Sequence, residues 1–351
     1  MLKVAFLGTG LISWAHSLAL EAMIDTKVVD VQIASCYDID SARAGQFAAT
    51  HGCSRKESAE EALTDVDVVW ICTPTSQHRT LVETAASQGV AVFCEKPLGR
   101  NMDEVRAMAG TVEETRIPFQ VGLVLRRCPV FIKLREMVLS GSLGKAMVVS
   151  FRDDQFFPVQ GHYASTWRGD VEQAGGGTVI EHSIHDLDIL RYCFGEIRSI
   201  SATTYNFAGY NGIEDAAAVN LAFESGLSGS LVSAWHQILS RPSTRRVEAI
   251  FEHGMVWLEN DFVGPLHLLT DNGEEVIECP PPSWVKDLPL PDNEIGIAIR
   301  MYAESDRRFT ESVMAGVKPS PSIEEAVQAH KLVDAVYVSA SAGGAPVQVL
   351  A

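Results

Sequence analysis

The chain has 351 residues, 46% hydrophobic and 21% charged, a length that two domains fill comfortably and a composition typical of folded globular proteins. A formal net charge of −17 argues against nucleic acid or an anionic membrane as partner, since both would repel such a surface. A negatively charged small substrate is still allowed, because a local site on an acidic protein can be basic.

In chain order, the apolar run Leu2–Leu7 opens a strand at once, with no secretory signal ahead of it. It breaks at Gly8-Thr9-Gly10 and passes into a helical pattern to about Met23. Strands are expected at Val28–Tyr37, Val66–Cys72 and Val90–Cys94, and helices at Ser41–Thr50, Leu81–Gln88 and Asp103–Thr115. Pro118–Leu125 reads as extended. Short apolar strands alternating with helices predict a parallel sheet covered on both faces. Beyond about residue 125 the texture changes. Ala146–Asp153, Ile197–Tyr205, Ala216–Phe223, Ser228–His236, Arg245–Glu252 and Met255–Asn260 are strand-like, and Glu224-Ser225-Gly226 is a hairpin turn between two of them. Helices close the chain at Asn293–Ala315 and Ser322–Ala342, after a proline-rich loop.

The expected fold is therefore α/β: a dinucleotide-binding domain over 1–124, and a second α+β domain over 125–351 with a large, mostly antiparallel open sheet. No stretch reaches the roughly 18 consecutive apolar residues of a membrane span. The seven cysteines are scattered and form no CxxC pair, so they read as reduced thiols of a cytoplasmic protein and not as a disulfide or zinc framework.

Gly8-Thr9-Gly10-Leu11-Ile12-Ser13 stands between strand and helix, where a dinucleotide fingerprint belongs. Gly8 permits the tight turn and Gly10 lets a pyrophosphate approach the helix N-terminus, while Ser13 replaces the usual third glycine. Asp38 ends the second strand, where a carboxylate can accept from adenosine ribose hydroxyls; the bland alternative is that Asp38 or Asp40 caps the next helix. An aspartate there repels a 2′-phosphate and favours NAD, with NADP as the alternative. Thr73-Pro74-Thr75-Ser76-Gln77-His78 and Glu95-Lys96-Pro97 each follow an apolar strand, at the carboxyl edge where open α/β sheets bind ligands. Lys96 there can stabilise negative charge growing on a substrate oxygen.

The run from Gly175-Gly176-Gly177 to Gly195 reads as a turn opening a helix. Ile180, Ile184, Leu187 and Phe194 form its buried face, and Glu181, His185, Asp188 and Tyr192 share another. A carboxylate one turn from an imidazole can tune it as a general base. Three other readings compete. Thr178 and Glu181 satisfy a T-x-x-E capping box; the stripe is a solvated face; or His182 and His185 bind a metal, for which an i,i+3 pair is poor evidence.

In this order the motifs resemble the glucose–fructose oxidoreductase / inositol dehydrogenase (Gfo/Idh/MocA) family, from the glycine loop through Glu95-Lys96-Pro97 and Gly175…His185…Asp188 to the closing Pro319–Ala326 segment. The resemblance implies an N-terminal Rossmann domain and a second domain that binds substrate and supports a homodimer or homotetramer. It implies an NAD(P)-dependent dehydrogenase of a sugar, polyol or sugar derivative. Rival readings are an NAD-dependent glycosidase that recycles its cofactor internally, or a non-catalytic NAD(P)-binding regulator. The implied catalytic set is Lys96, His185 and Glu181, where many members have Asp at the last position. The implied cofactor set is Gly8, Gly10, Leu11, Ile12, Asp38, Thr73, Pro74, His78, Glu95, Trp167 and Arg168, with no metal. Arg126 falls where the family's chain enters its second domain.

Overall fold

The computed structural model describes residues 1–161, 163–241, 243–261 and 264–349. Packing divides the chain into two compact units, Met1–Val124 with Pro282–Val327, and Leu125–Pro281 with Gln328–Ala351. An uninterrupted second domain over 125–351 is thus corrected, because residues 282–327 belong to the first unit.

The chain begins with β1 (Leu2–Leu7), α1 (Leu11–Asp25), β2 (Val31–Tyr37), α2 (Ser41–His51), β3 (Ser54–Arg55), α3 (Ala59–Ala62) and β4 (Val68–Ile71). It continues with α4 (His78–Ser87), β5 (Ala91–Cys94), α5 (Met102–Thr115) and β6 (Phe119–Val121). Among the described residues these strands form one parallel six-stranded sheet, ordered β3-β2-β1-β4-β5-β6. β4 and β5 are buried at every position, which is why they read as continuous apolar runs. The order reverses between β1 and β4, and ligands of open α/β sheets bind outside the carboxyl ends of such strands. Asp40 caps α2 and Asn101 caps α5, each accepting from two first-turn amides.

The second unit contains α6 (Pro129–Ser140), β7 (Ala146–Phe156), α7 (Val171–Ala174), α8 (Ile184–Phe194), β8 (Ile197–Tyr205), β9 (Ala216–Phe223) and β10 (Ser228–His236). β11 (Thr244–Phe251), β12 (Gly254–Leu258), β13 (Leu266–Thr270) and β14 (Gly273–Ile277) follow. The chain ends with α9 (Ser283–Lys286), α10 (Glu294–Ala315), α11 (Ile323–Ser341) and β15 (Val347–Gln348). Among the described residues a nine-stranded sheet has the order β14-β13-β12-β11-β7-β10-β9-β8-β15, with β10 parallel to β7 and its other pairs antiparallel. Strands β9, β10 and β11 bury alternate residues, so one face there carries the core and the other is open; in β11 Arg245, Val247, Ala249 and Phe251 point inward. Helix α6 was not anticipated, although Pro129 at its first position and Gly141 (φ 66°) behind its end are ordinary start and stop signals.

The return of residues 282–327 to the first unit has an apolar cause. Leu288, Ile299, Ala303 and Phe309 join the cluster of Phe6, Trp70 and Phe93, with Phe309 edge-on to Trp70 at 5.3 Å. Among the described residues no helix is long and apolar enough to cross a membrane.

Candidate active site

In the first unit, the glycine loop is shaped by what surrounds it. Gly8 has φ 83°, and a Cβ there would meet the Cys72 carbonyl oxygen at 2.8 Å and Thr73 Cγ2 at 2.9 Å, so only glycine fits. Gly10 has open space beside it and begins α1 with no side-chain cap. Ser13 is fully buried and donates to the Gly8 carbonyl at 2.6 Å, so it supplies both close packing and a brace for the turn. Leu11 is 56% exposed at the helix start and Ile12 is partly buried.

Asp38 does not cap α2; Asp40 does. Asp38 Oδ2 instead accepts the Thr9 amide at 2.8 Å and its hydroxyl at 3.1 Å, which ties the end of β2 to the glycine loop. Arg43 lies 3.6 Å from Asp38 Oδ1. The buried Thr73 hydroxyl, next to Gly8, has no hydrogen-bond partner among the described residues. An uncapped helix start, a glycine cradle and an orphaned hydroxyl together suit the pyrophosphate of a dinucleotide.

His78 is buried, with Nδ1 3.0 Å from the Pro97 carbonyl and Nε2 3.0 Å from the Thr73 carbonyl. It braces the Thr73-Pro74 turn against the Glu95-Lys96-Pro97 turn. Burial holds its imidazole below the ordinary histidine range, against the pull of the carbonyls. Glu95 is buried and its Oε2 accepts the Lys96 amide at 3.2 Å.

In the second unit, residues Val179–Ser183 form a π-helical turn that leads into α8. Glu181, His185 and Asp188 are all buried, which removes the solvated-face reading. The capping-box reading also fails. Thr178 is already helical (φ −59°) and its hydroxyl pairs with Ser233 at 2.7 Å, whereas Glu214 takes the Gly177 and Val179 amides at 2.8 and 2.9 Å. Gly177 has no room for a Cβ against the Glu214 backbone. Glu181 is left to Arg168, whose Nε donates to it at 2.8 Å while its guanidinium stacks on Trp167 at 4.4 Å. Asp188 is held by Arg126 through two hydrogen bonds. His185 therefore sits on a buried face between two carboxylates, each held by an arginine.

A second cluster lies on either side of His185 in the sequence. Arg245 is buried, with Nε 2.7 Å from Asp186 Oδ1 and Nη1 2.7 Å from Asp261 Oδ2. Its Nη2 lies 3.0 Å from His182 Nε2, and His182 Nδ1 hydrogen-bonds Asp153. Both His182 nitrogens are thus engaged, which leaves a metal site on His182 and His185 without one of its ligands. Burial raises the Asp153 carboxyl above its ordinary range, against the pull of Arg245. Burial, then the Asp153 charge, pushes Asp186 up to about 7. Sequence reasoning missed Glu214 and this cluster; the one signal was a charged residue, Arg245, in phase with the inward positions of β11.

Residues 2–123 match a family model described as the Gfo/Idh/MocA oxidoreductase family with an NAD-binding Rossmann fold, and residues 131–257 match the family's C-terminal domain. The inositol 2-dehydrogenase of Rhizobium meliloti is 29% identical over 349 residues, 96% of either chain. The scyllo-inositol 2-dehydrogenase (NAD(+)) of Bacillus subtilis is 32% identical over 238 residues, 65% of this chain and 66% of its own. Levoglucosan dehydrogenase, solved with NADH and levoglucosan, superposes with a TM-score of 0.87 at 22% identity over 100% of both chains, a likeness of fold alone.

Proposed function

This chain belongs to the Gfo/Idh/MocA oxidoreductase family, and we propose that it is an NAD-dependent dehydrogenase that oxidises one hydroxyl of a sugar, polyol or sugar derivative to a carbonyl. The observation that carries the reading is the buried face of α8, where His185 lies between the arginine-held carboxylates Glu181 and Asp188. The sugar and polyol substrates in the names of its relatives support the substrate class.

Oxidation of a secondary alcohol takes a proton from oxygen and a hydride from carbon. The nicotinamide, when bound, is the hydride acceptor. His185 removes the hydroxyl proton as general base, and Lys96 donates a hydrogen bond to the same oxygen as negative charge grows on it. Glu181, fixed by Arg168, orients the imidazole or the substrate. Gly8, Gly10, Leu11 and Ile12 receive the pyrophosphate, and Asp38 the adenosine ribose. Thr73, Pro74, His78 and Glu95 shape the neighbouring strand ends, and Trp167 and Arg168 are assigned to the cofactor as well. The Asp38 carboxylate disfavours a 2′-phosphate, so NAD is preferred over NADP.

The open face of the nine-stranded sheet is assigned to a homodimer or homotetramer. Leu269, Met255, Ile250 and Val148 are successive register partners across β13, β12, β11 and β7, and Leu269, Ile250 and Val148 are each at least 40% exposed. Seven free cysteines suit a reducing compartment, the cytoplasm.

The test is reduced-cofactor formation, followed by absorbance, on a panel of sugars, sugar acids and inositols with NAD and NADP in parallel. A substrate-dependent rise with NAD supports the dehydrogenase. Tight NAD binding with no net reduction across the panel overturns it in favour of an internally recycling glycosidase or a regulator.

A further inference from the structure

Behind the Glu95-Lys96-Pro97 turn, in the first unit, lies a buried charged group for which the hydride transfer described above has no use. His16 of α1 is fully buried. Its Nδ1 is 2.7 Å from Asp306 Oδ1 and its Nε2 is 3.1 Å from Glu95 Oε1. Asp306 comes from α10, in the segment that returns to this unit, and its Oδ1 also accepts the Trp70 indole N–H at 3.1 Å. The rings of Phe93 and Tyr302 stand edge-on to the imidazole at 5.0 and 4.8 Å. A ring with a carboxylate at each nitrogen donates from both, which makes it an imidazolium.

The charges around it agree. Burial alone would lower His16, but Asp306 and then Glu95 outweigh burial and push it up to about 9. Asp306 is itself raised by burial, against the pull of His16. Among the described residues the thiols of Cys72 and Cys94 and the imidazole of His78 also face these carboxylates; burial pushes both thiols up and holds His78 low, which keeps all three neutral.

We propose that His16, clamped between Asp306 and Glu95, is a positioning residue for Lys96. It fixes one oxygen of the Glu95 carboxylate, and the other oxygen holds the Lys96 main chain. The carboxylate has a fitted seat: Gly122 has no room for a Cβ because Glu95 occupies the space. Without the imidazolium, the buried Glu95 and Asp306 carboxylates lose the cation that bridges them. Glu95 then takes up a proton or turns toward water, and Lys96 loses its anchor. The proposal rests on the dehydrogenase reading for the role of Lys96, but not for the clamp itself.

The experiment has two arms on the full chain. Nitrogen-15 histidine NMR of the wild type, with H16N for assignment, should show one imidazole protonated on both nitrogens up to pH about 9, and titrating lower in E95Q and D306N. A His16 that titrates in the ordinary range near 6.5 overturns the clamp. In the second arm, H16N should lower kcat at least about ten-fold, with KM and NAD affinity within about three-fold, and D306N should move the alkaline limb of kcat to lower pH. A lower melting temperature with an unchanged kcat and pH profile would show a merely structural role and overturn the positioning claim. If no substrate turns over, carbon-13 dimethyl-lysine NMR reads Lys96 directly: H16N, or D306N should H16N not fold, must shift the Lys96 resonance and its titration. An unmoved resonance overturns the proposal independently of the dehydrogenase reading.

Discussion

Arg126 grips Asp188 with two parallel hydrogen bonds, Nε to Oδ2 at 2.7 Å and Nη2 to Oδ1 at 2.6 Å, and both side chains are buried. The Tyr192 ring covers the guanidinium of Arg126 at 5.0 Å and that of Arg135 at 4.5 Å. Two members of the polar stripe on α8 thus anchor the helix to the segment around α6. Removing the arginine alone strands a carboxylate out of water, so R126M should destabilise the second unit by about 3–5 kcal/mol. The double variant R126M/D188L should recover most of that loss. Urea midpoints of the transition that tracks this unit check both, and a single variant costing under about 1 kcal/mol would show the pair to be energetically idle.

Asp186 gives a pH dependence with a definite sign. Its folded pKa is raised from 3.8 to about 7, so within that window the folded state keeps a proton that the unfolded chain has released. This contribution to stability therefore falls as pH rises from about 4 to 7 and is level above that. D186N copies the uncharged form, because its oxygen can accept from Arg245 and it sets no charge against Asp153. It should be at least as stable as the wild type at pH 8 and lack this slope. Thermal unfolding at pH 5 and 8 decides; a D186N chain much weaker than the wild type at pH 8 would mean that Asp186 works as a charge.

That the glycine loop, Asp38 and Glu95-Lys96-Pro97 stand at strand ends was legible, because an apolar run leads into each. β8, β9 and β10 have the expected bounds; burial alternates strictly along β9 and β10, while β8 carries a register shift after Ile197. The hairpin of β13 and β14 escaped notice because GEEVI is mostly exposed and has no inward face to show. Other features were hidden by distance. Asp306 is 290 residues from His16, and Glu214 reaches the Gly177 amide across 37. The capping-box alternative fails for the same reason: Thr178 and Glu181 fit the local motif, but a remote carboxylate takes the amides they would have served.

The proposed assembly through the open sheet predicts one sensitive position. Ile250 is 40% exposed and stands between Met255 and Val148 in register, at the centre of the apolar row. An arginine there places an unpaired charge in the middle of any interface formed by that row, at a cost of several kcal/mol. I250R should convert the proposed oligomer to a monomer in light scattering while leaving the circular dichroism spectrum unchanged. An I250R chain of unchanged mass would move the assembly to another surface.

Cofactor choice should turn on the contact between Asp38 and Thr9. The carboxylate is fixed by the Thr9 amide and hydroxyl on one oxygen and by the Asp40 amide on the other, with Arg43 3.6 Å away. A carboxylate so held can accept from ribose hydroxyls without first reorganising, and it repels a phosphate at the same place. Hydrogen bonds to a charged group contribute about 1.5–3 kcal/mol, so D38A should weaken NAD roughly ten- to hundred-fold. NADP should be weakened less, or bind more tightly, because the repulsion is gone and Arg43 is released to meet the 2′-phosphate. Adding R43A to D38A should then remove whatever NADP affinity the first change gained. Calorimetric titration of both nucleotides into the three variants and the wild type reads all of this without turnover. An unchanged ratio of NAD to NADP affinity in D38A would take Asp38 out of the ribose site and leave it as a brace for the glycine loop.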